Sequence, residues 1–404
     1  MNVDRHRLAA RLDRAVATLP EQPPTPTVVV DLDAFDANAD DLVRRAGGKQ
    51  IRVATKSLRV PALVRRALAH DGFAGVLSYA LREALWLYRE GVTDDVVMGY
   101  PTVDRAALRE LTSDPGACAA ITLMVDDPAH LDVVDEVRAS DAVVRVALDV
   151  DAGLQLGRAH VGPKRSPLHD ADAVVELARE VDRRPGFALV GVMTYEGQVA
   201  GVPDDVPGER PRSLAVRRMK AASVRQLGRR REQVAAALVD SLGPEAVQLW
   251  NAGGSGSLES SAADPVVTEV TAGSGLLVPA LFDHYRSFEP RPAVFFGLRV
   301  VRRPGPGCAT VAGGGLIASG ATGADRSPVP WAPPGLRLTP LEGAGEVQTP
   351  LVGPGADNLR IGDLVWFRHA KSGELAEHVR EVHLVSGDRV VDVVPTYRGT
   401  GNAW

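Results

Sequence analysis

Residues 50–56 read Gln50-Ile51-Arg52-Val53-Ala54-Thr55-Lys56, a mainly apolar run that is followed by a helix-like segment. The same alternation recurs along the chain, and eight such runs are recognised: Thr27 to Leu32, Gln50 to Thr55, Gly75 to Tyr79, Asp95 to Tyr100, Ile121 to Val125, Val143 to Val150, Phe187 to Thr194 and Val247 to Asn251. Apolar strands separated by helices imply a parallel sheet that is buried on both faces. The pattern predicts an α/β fold with a (β/α)8 TIM barrel, and a doubly wound open sheet is the competing architecture.

The texture of the sequence changes near Arg291, where short alternating segments broken by Gly and Pro begin. This texture predicts a C-terminal all-β domain with strands at Ala293 to Arg302, Thr310 to Ile317, Asp363 to Arg368 and Glu377 to Leu384. Residues with helical spacing are found at Arg5 to Leu19, Pro61 to Ala69, Leu81 to Arg89 and Ser213 to Leu242. We therefore predict an N-terminal helical arm at 1–26, the barrel at 27–285 and the β-domain at 286–404.

Composition narrows the class of protein. The chain has 404 residues, of which 45% are hydrophobic and 24% charged, and its net charge of -5 argues against a nucleic-acid partner. No apolar run reaches membrane-spanning length, and Met1 to Arg14 lacks an apolar signal core, so we predict no membrane partner and a cytoplasmic location. Cys118 and Cys308 show neither a disulfide framework nor a zinc-type spacing.

Lys56 is the first candidate for chemistry, because it ends a barrel strand in a chain with only five lysines among 46 cationic residues. Active-site residues of such barrels lie at the carboxyl ends of the strands. A lysine amine can form a Schiff base, whereas the guanidinium of arginine cannot, so Lys56 is a candidate nucleophile or cofactor anchor. The alternative is a surface lysine that closes a strand. The same rule selects Ser78, Tyr79, Tyr100, Asp149, Asp151 and Thr194 to Gln198.

A glycine-rich segment, Asn251-Ala252-Gly253-Gly254-Ser255-Gly256-Ser257, follows the last predicted strand. Consecutive amides and hydroxyls in such a loop suit a phosphate, although a flexible surface loop is the alternative. A second donor turn lies at Ala272 to Gly275. An amine and a phosphate cradle in one barrel predict pyridoxal 5'-phosphate, with Tyr195 beside its ring or, alternatively, in the core. The predicted cofactor contacts are Lys56, Tyr195, Gly254, Ser255, Gly256, Ser257, Gly273 and Ser274.

The C-terminal region contributes Arg368-His369-Ala370-Lys371. On a strand, His369 and Lys371 would point to the same face, and each would lower the pKa of the other by like-charge repulsion. Such a pair suits proton transfer, and we assign both residues a catalytic role. A solvated turn between two strands is the alternative.

These motifs together resemble the fold-type III pyridoxal-phosphate enzymes with an alanine-racemase-like barrel, and within them the D-threonine aldolase and D-serine dehydratase group. Arg52 to Lys56 falls on the Arg-Pro-His-x-Lys motif of that group, whose lysine carries the cofactor. Tyr195 to Gln198 is similar to Tyr-x-Gly-His, and Gly253 to Ser257 is similar to the phosphate loop Gly-Gly-Thr-Gly-Thr. Thr268 to Ser274 matches a further phosphate-contacting turn. The resemblance implies pyridoxal phosphate on Lys56 and a head-to-tail homodimer.

The chain departs from the group at the metal motif. Metal-dependent members carry His-x-Cys or His-x-Asp, whereas this chain has Lys371 in the second position, and a protonated lysine repels a cation. We therefore expect no metal site, with the Lys371 ammonium in the place of the metal charge and His369 handling the proton. Other departures are Leu58 and Gln348, which stand where the group has histidines, and Arg158, which is displaced by two positions.

The resulting hypothesis is a pyridoxal-phosphate-dependent lyase that cleaves a β-hydroxy-α-amino acid of D configuration by retro-aldol cleavage or β-elimination, independently of metal. An amino-acid racemase or epimerase is the alternative, with a second base such as Tyr285 or Tyr397 supplied by the other subunit. A non-catalytic pyridoxal-phosphate carrier is a third interpretation, which the large β-domain disfavours.

Overall fold

The computed structural model describes residues 4–287, 289 and 291–404. The chain divides into two compact units. The β unit comprises Met1–Asp40, Ser57–Leu63 and Ser274–Ala403, and the barrel unit comprises Asp41–Lys56, Val64–Gly273 and Trp404.

The strands are β1 Thr27–Asp31, β2 Gln50–Ala54, β3 Phe73–Ser78, β4 Val96–Met98, β5 Ile121–Val125, β6 Val144–Asp149, β7 Leu154–Leu156, β8 Ala159–Val161, β9 Phe187–Thr194, β10 Leu249–Ala252, β11 Glu269–Ala272, β12 Val294–Gly305, β13 Cys308–Ala312, β14 Val329–Ala332, β15 Arg337–Leu338, β16 Gln348–Val352, β17 Leu364–Arg368, β18 Glu381–Ser386 and β19 Arg389–Pro395. The helices are α1 Arg5–Ala17, α2 Leu32–Arg45, α3 Pro61–Leu68, α4 Leu81–Arg89, α5 Arg105–Ser113, α6 Pro115–Ala120, α7 Pro128–Asp135, α8 Ala171–Arg183, α9 Gly197–Ala200, α10 Arg210–Leu242, α11 Leu258–Ala262 and α12 Ser274–Leu277. None of these helices combines the length and apolar composition needed to cross a membrane.

Eight parallel strands close the barrel in the order β2, β3, β4, β5, β6, β9, β10 and β11. The prediction of a TIM barrel with an all-β C-terminal region is confirmed. Several helices begin where the sequence offers a cap, because an aspartate side chain accepts hydrogen bonds from the first free amides. Asp104 caps α5 in this way, and Asp170 caps α8.

One predicted barrel strand is wrong and one was missed. The run at Thr27 to Leu32 forms β1, which pairs with β12 and β18 in the sheet of the β unit rather than in the barrel. The eighth barrel strand is β11, which is only four residues long and begins with a charged residue, Glu269. Because β11 is short and begins with a charged residue, the apolar pattern of the sequence does not predict it as a strand.

Glu269 belongs in the barrel because it has a buried partner. Arg52 on the neighbouring strand β2 donates to Glu269 from Nε at 2.6 Å and from Nη2 at 2.7 Å. Arg52 also donates from Nη1 to Asp95 at 2.8 Å. Burial opposes the charge of Arg52, but the two carboxylates outweigh it and raise its pKa. The ion pairs therefore replace apolar packing at this level of the barrel.

The β unit is built on a nine-stranded sheet with the order β15, β16, β13, β12, β1, β18 and β19, to which β14 and β17 add through β12. Helix α1 packs on this sheet, with Leu12 fully buried in a cluster that includes Phe295 and Trp366. The predicted strand from Thr310 ends earlier than expected, since β13 stops at Ala312. The predicted domain boundaries at residues 26 and 285 stay predictions. The barrel unit passes into the last segment of the β unit between Gly273 and Ser274.

Candidate active site

Lys56 lies immediately beyond β2, in a single 3-10 turn at Thr55–Ser57. Its ammonium donates a hydrogen bond to the hydroxyl of Tyr100, with 2.8 Å between Nζ and Oη. Tyr100 follows β4, two strands along the barrel. The two residues meet because the carboxyl ends of parallel strands lie at the same end of a barrel.

Arg165 adds a second cation to this group. Its guanidinium carbon lies 5.5 Å from the ring centroid of Tyr100 and 5.7 Å from that of Tyr195. Burial raises the pKa of Tyr100, but the charges and hydrogen bonds of Lys56 and Arg165 outweigh it, so the net pKa of Tyr100 lies below its ordinary value. Burial dominates at Tyr195 and raises its pKa. Of the two phenols, Tyr100 is therefore the easier to ionise.

The carboxylate of Glu196 supports the glycine-rich loop after β10 through hydrogen bonds. The carboxylate of Glu196 accepts hydrogen bonds from Gly253 N at 3.3 Å and from Ser257 Oγ at 2.8 Å, and also from Ser261 Oγ. Ser257 Oγ in turn accepts from Gly254 N at 3.1 Å. The hydroxyl of Ser257 thus fixes the shape of the loop.

Two buried arginines complete this support. Arg231 on α10 donates to Glu196 at 3.2 Å and to Asp264 at 3.1 Å. Arg45 donates to the carbonyl oxygen of Ser255 at 2.7 Å. Neither arginine was predicted from the sequence, because each lies on a helix whose pattern resembles a solvated face. Glu196 lies in the segment Thr194 to Gln198 that the strand-end rule selects, but its part in holding the loop depends on partners distant in the sequence.

The loop reaches the same end of the barrel as Lys56. Strand β11 pairs with β2 in a register that places Ala272 opposite Val53, so Gly273 and Lys56 both follow paired strands. Gly273 N donates to Ser255 Oγ at 3.4 Å, which joins the turn after β11 to the loop after β10. The predicted contacts Lys56, Tyr195, Gly254 to Ser257 and Gly273 all belong to the barrel unit.

Two glycines of the loop are needed for their shape. Gly253 has a φ of +85°, a conformation that side chains with a Cβ rarely adopt. A Cβ on Gly254 would lie 3.0 Å from the Cβ of Ala200 and 3.4 Å from Cε2 of the Tyr195 ring. The glycines therefore let the backbone approach the face of the tyrosine closely.

Two aspartates lie in different environments at the carboxyl end of β6, Asp149 as its last residue and Asp151 two residues beyond it. Asp149 is buried, and burial followed by the nearby charge of Asp126 raises its pKa to about 7, although Arg165 opposes the shift. Asp151 is bound to His160 Nε2 at 3.0 Å and to Arg230 Nη1 at 3.3 Å. Asp149 is thus the aspartate of this pair that can exchange a proton near neutral pH.

His369 and Lys371 lie in the β unit and differ from the expected strand pair. Strand β17 ends at Arg368, so both residues lie beyond it, where the chain bends. Burial, followed by the charge of Arg368, lowers the pKa of His369 to about 3, and Lys371 is not among the causes. Lys371 donates instead to Ser319 Oγ at 2.6 Å and to Glu374 Oε1 at 3.1 Å.

The remaining predicted contact, Ser274, also belongs to the β unit. It begins helix α12, and its hydroxyl lies 3.1 Å from Ser57 Oγ. Over the described residues, no group of three or more His, Cys, Asp or Glu side chains has a geometry that could hold a metal ion.

Comparison with known proteins identifies the family. The model of the alanine racemase N-terminal domain matches residues 30–277, which is more than half of the chain. The chain belongs to this family. The resemblance to fold-type III pyridoxal-phosphate enzymes and to their D-threonine aldolase group is thereby confirmed.

Curated relatives and solved structures agree with this assignment. A D-threonine aldolase from an Arthrobacter species is 28% identical over 252 residues, which are 62% of this chain and 60% of that protein. A 3-hydroxy-D-aspartate aldolase from Paracoccus denitrificans is 24% identical over 253 residues, 62% of this chain and 59% of its own length. The match therefore spans about three fifths of the length of these relatives.

Among solved structures, the D-threonine aldolase of Filomicrobium marinum aligns with a TM-score of 0.78 at 24% identity, over 94% of this chain and 97% of its own. The D-threo-3-hydroxyaspartate dehydratase of a Delftia species aligns with a TM-score of 0.71 at 19% identity, over 93% and 97% of the two chains. At these identities the alignments establish the fold.

The residues of the barrel unit fit pyridoxal phosphate, the cofactor that the family implies. Lys56 offers an amine at the end of the barrel where the glycine-rich loop lies, and Gly254 leaves room beside Tyr195. A glycine- and serine-rich loop of this kind suits a phosphate group, and its hydrogen bonds to Glu196 and within the loop hold its backbone in shape. Lys56 would hold the aldehyde end of the cofactor, the loop its phosphate, and Tyr195 would lie beside its ring.

Proposed function

We propose that the protein is a pyridoxal-phosphate-dependent lyase that cleaves β-hydroxy-α-amino acids of D configuration by retro-aldol cleavage or β-elimination. The observation that carries the proposal is the group formed by Lys56, Tyr100 and Tyr195 at the end of the barrel that also bears the glycine-rich loop. The relatives named as aldolases support the reaction class and the D configuration.

Bound pyridoxal phosphate supplies an aldehyde that condenses with amines and a ring that accepts the electrons released when a bond to the α-carbon breaks. The residues of the chain would bind and position the cofactor. Lys56 would hold the aldehyde end of the cofactor through Nζ, and Tyr195, which packs beside Gly254, would limit the space next to its ring. The loop, held by Glu196 and Arg231, would bind the phosphate.

Arg165 is suited to orient the substrate. It is exposed, it carries a positive charge over the rings of Tyr100 and Tyr195, and every amino acid brings a carboxylate. A guanidinium binds a carboxylate through two parallel hydrogen bonds, which fixes direction as well as position. We assign Arg165 the substrate carboxylate.

Proton transfer distinguishes the two reactions. Retro-aldol cleavage needs a base that takes the proton of the β-hydroxyl, and β-elimination needs an acid that helps this hydroxyl to leave as water. The assignment of His369 and Lys371 to these steps stays a prediction. A His369 pKa of about 3 means that its imidazole is neutral at neutral pH, which suits a hydrogen-bonding role better than that of a strong base.

Replacing Lys371 by alanine tests its part in the reaction. If the Lys371 ammonium stands in the place of a metal charge, Lys371→Ala abolishes turnover and leaves the visible absorbance of the bound cofactor intact. Lys164→Ala, at an exposed position of the barrel unit, is the control. Full activity of Lys371→Ala would contradict this role and would show that the hydrogen bonds of Lys371 to Ser319 and Glu374 have only a structural role.

The function is tested with purified protein, added pyridoxal phosphate and a panel of D- and L-β-hydroxy-α-amino acids, with and without a chelator. Release of an aldehyde and glycine indicates retro-aldol cleavage, whereas release of ammonia and a 2-keto acid indicates elimination. Turnover that survives the chelator supports metal independence. Inversion at the α-carbon without cleavage, which appears as loss of optical activity for serine and as formation of a diastereomer for threonine, would establish the racemase or epimerase alternative and contradict the proposal. Homodimer formation and a cytoplasmic location stay predictions.

A further inference from the structure

The hydroxyl of Tyr100 contacts the reacting atom of Lys56 directly. The 2.8 Å between Nζ and Oη is a normal length for a charge-assisted hydrogen bond. The ammonium also lies 5.5 Å from the centroid of the same ring, so it sits toward the hydroxyl edge rather than over the face. A proton can pass between these two atoms without any intervening group.

The groups that face Tyr100 come from three other parts of the barrel, and two of them, Lys56 and Arg165, are cations. Lys56 follows β2, Arg165 follows the β7 and β8 hairpin, and Tyr195 follows β9. The two cations favour the phenolate, and Arg165 is itself faced by the buried carboxyl of Asp149. The charge state of Tyr100 is therefore set by a small group of neighbours that can be changed one at a time.

A lysine must lose a proton before it attacks an aldehyde, because only the neutral amine has a lone pair. An ordinary lysine is almost fully protonated at neutral pH. The resemblance to the family implies that Lys56 carries pyridoxal phosphate, and it does not imply which group removes this proton. In the barrel unit, the oxygen of Tyr100 is an acceptor that lies within hydrogen-bond distance of Nζ.

We propose that Tyr100 is a catalytic residue that takes the ammonium proton of Lys56 before the amine condenses with the cofactor and returns it when the lysine is released. This inference rests on the proposed function. Tyr100 starts as the phenolate, so one Lys56 N–H bond would break as the Tyr100 O–H bond forms. The freed electron pair of Nζ would then be available to the aldehyde carbon of bound pyridoxal phosphate, whose oxygen would leave as water with the two remaining N–H protons. When the substrate amine displaces Lys56, Tyr100 gives the proton back.

The rate at which the cofactor binds covalently tests the proposal without any substrate. Apoprotein is mixed with pyridoxal phosphate between about pH 6 and about pH 10, and the rise of the visible band is followed in a stopped-flow instrument. Tyr100→Phe keeps the ring and removes the acceptor, so we expect loading to slow by about a hundredfold near neutral pH. Tyr88→Phe, on the outer helix α4, is the matched control and should load like the wild type.

Arg165 provides a second, independent arm. Arg165→Met removes a charge that favours the phenolate, so the pH midpoint of loading should move upward while Tyr100 remains in place. Arg165→Lys restores the charge and should return the midpoint toward that of the wild type. A purely structural role of Arg165 would change the amplitude or the stability and leave the midpoint where it was.

Each outcome decides the matter. Loading of Tyr100→Phe at the wild-type rate, with an unchanged pH profile, overturns the inference and leaves the proposed function intact. If far-UV circular dichroism shows that Tyr100→Phe has not folded, the Arg165 variants decide, and an unchanged midpoint in Arg165→Met overturns the inference. If the wild type develops no band at any pH, the proposed function fails and the inference fails with it.

Discussion

Asp149 gives the sharpest test of the electrostatics of the barrel, because its carboxyl lies buried at the end of β6 near a second acid. Its pKa rises from 3.8 to about 7, mainly through burial and then through the charge of Asp126. We predict that Asp149→Asn, which keeps the size of the side chain and removes its charge, stabilises the protein at alkaline pH and not at acid pH.

The magnitude follows from the linkage between proton binding and folding. Above about pH 4 the unfolded chain loses this proton while the folded protein keeps it, so the free energy of unfolding falls as the pH rises toward 7. A pKa difference of one unit between the folded and the unfolded protein corresponds to about 1.4 kcal/mol. The rise in the pKa of Asp149 from 3.8 to about 7 therefore lowers the free energy of unfolding above pH 7 by about 4 kcal/mol. Between about pH 5 and about pH 8, the contribution of Asp149 to the free energy of unfolding falls by about 3 kcal/mol.

The assay is urea denaturation of both proteins at these two pH values, followed by circular dichroism. Groups that do not interact with Asp149 titrate equally in the two proteins, so their contributions cancel in the difference. We expect the stability of Asp149→Asn relative to the wild type to rise by about 3 kcal/mol from the lower to the higher pH. Asp141→Asn, at an exposed position, is the control. A difference that stays constant with pH would refute the account of Asp149.

Two further substitutions address the buried ion pairs of the barrel unit. Glu196→Gln should raise the dissociation constant of pyridoxal phosphate, measured by equilibrium titration of its visible band, because Glu196 accepts from Gly253 N and Ser257 Oγ. Arg52→Met leaves Glu269 buried without its main partner, so the free energy of unfolding, measured in urea, should fall by about 3 to 5 kcal/mol.

The surface offers matched controls for both substitutions. Arg89→Met breaks a pair with Glu110 in which both side chains are about half exposed, and it should cost less than about 1 kcal/mol. Glu209→Gln breaks the exposed pair with Arg212 and should leave cofactor affinity unchanged. A cost of Arg52→Met equal to that of Arg89→Met would contradict the view that ion pairs replace apolar packing inside the barrel.

The sequence predicted those parts of the fold that have a repeating physical signature. Strands such as β5 and β6 are buried on both faces and therefore read as apolar runs. The signature fails at β1 and β11. Strand β1 is as apolar as a barrel strand because it is buried within the second sheet, and β11 is short and carries a charge that is neutralised by Arg52.

The candidate site was predictable to the extent that its residues follow strands. Lys56, Tyr100 and the glycine-rich loop all obey that rule, and the structure brings them to one end of the barrel. Arg231 and Glu196 act through long-range pairing, which leaves no local pattern. The effect of Lys371 that was expected on the pKa of His369 was wrong, since β17 ends at Arg368, and burial and Arg368 lower that pKa.

The identity of the lysine that carries the cofactor is the central claim. Protein loaded with pyridoxal phosphate is reduced with borohydride, digested and analysed by mass spectrometry, and the absorbance of Lys56→Ala is recorded alongside that of Lys49→Ala. Lys49 is a suitable control because its ammonium is bound to main-chain oxygens, including that of Asp264 at 2.8 Å. We predict the cofactor mass on the peptide that contains Lys56 and loss of the visible band in Lys56→Ala alone. The cofactor on another lysine, or a band that persists in Lys56→Ala, would contradict the account.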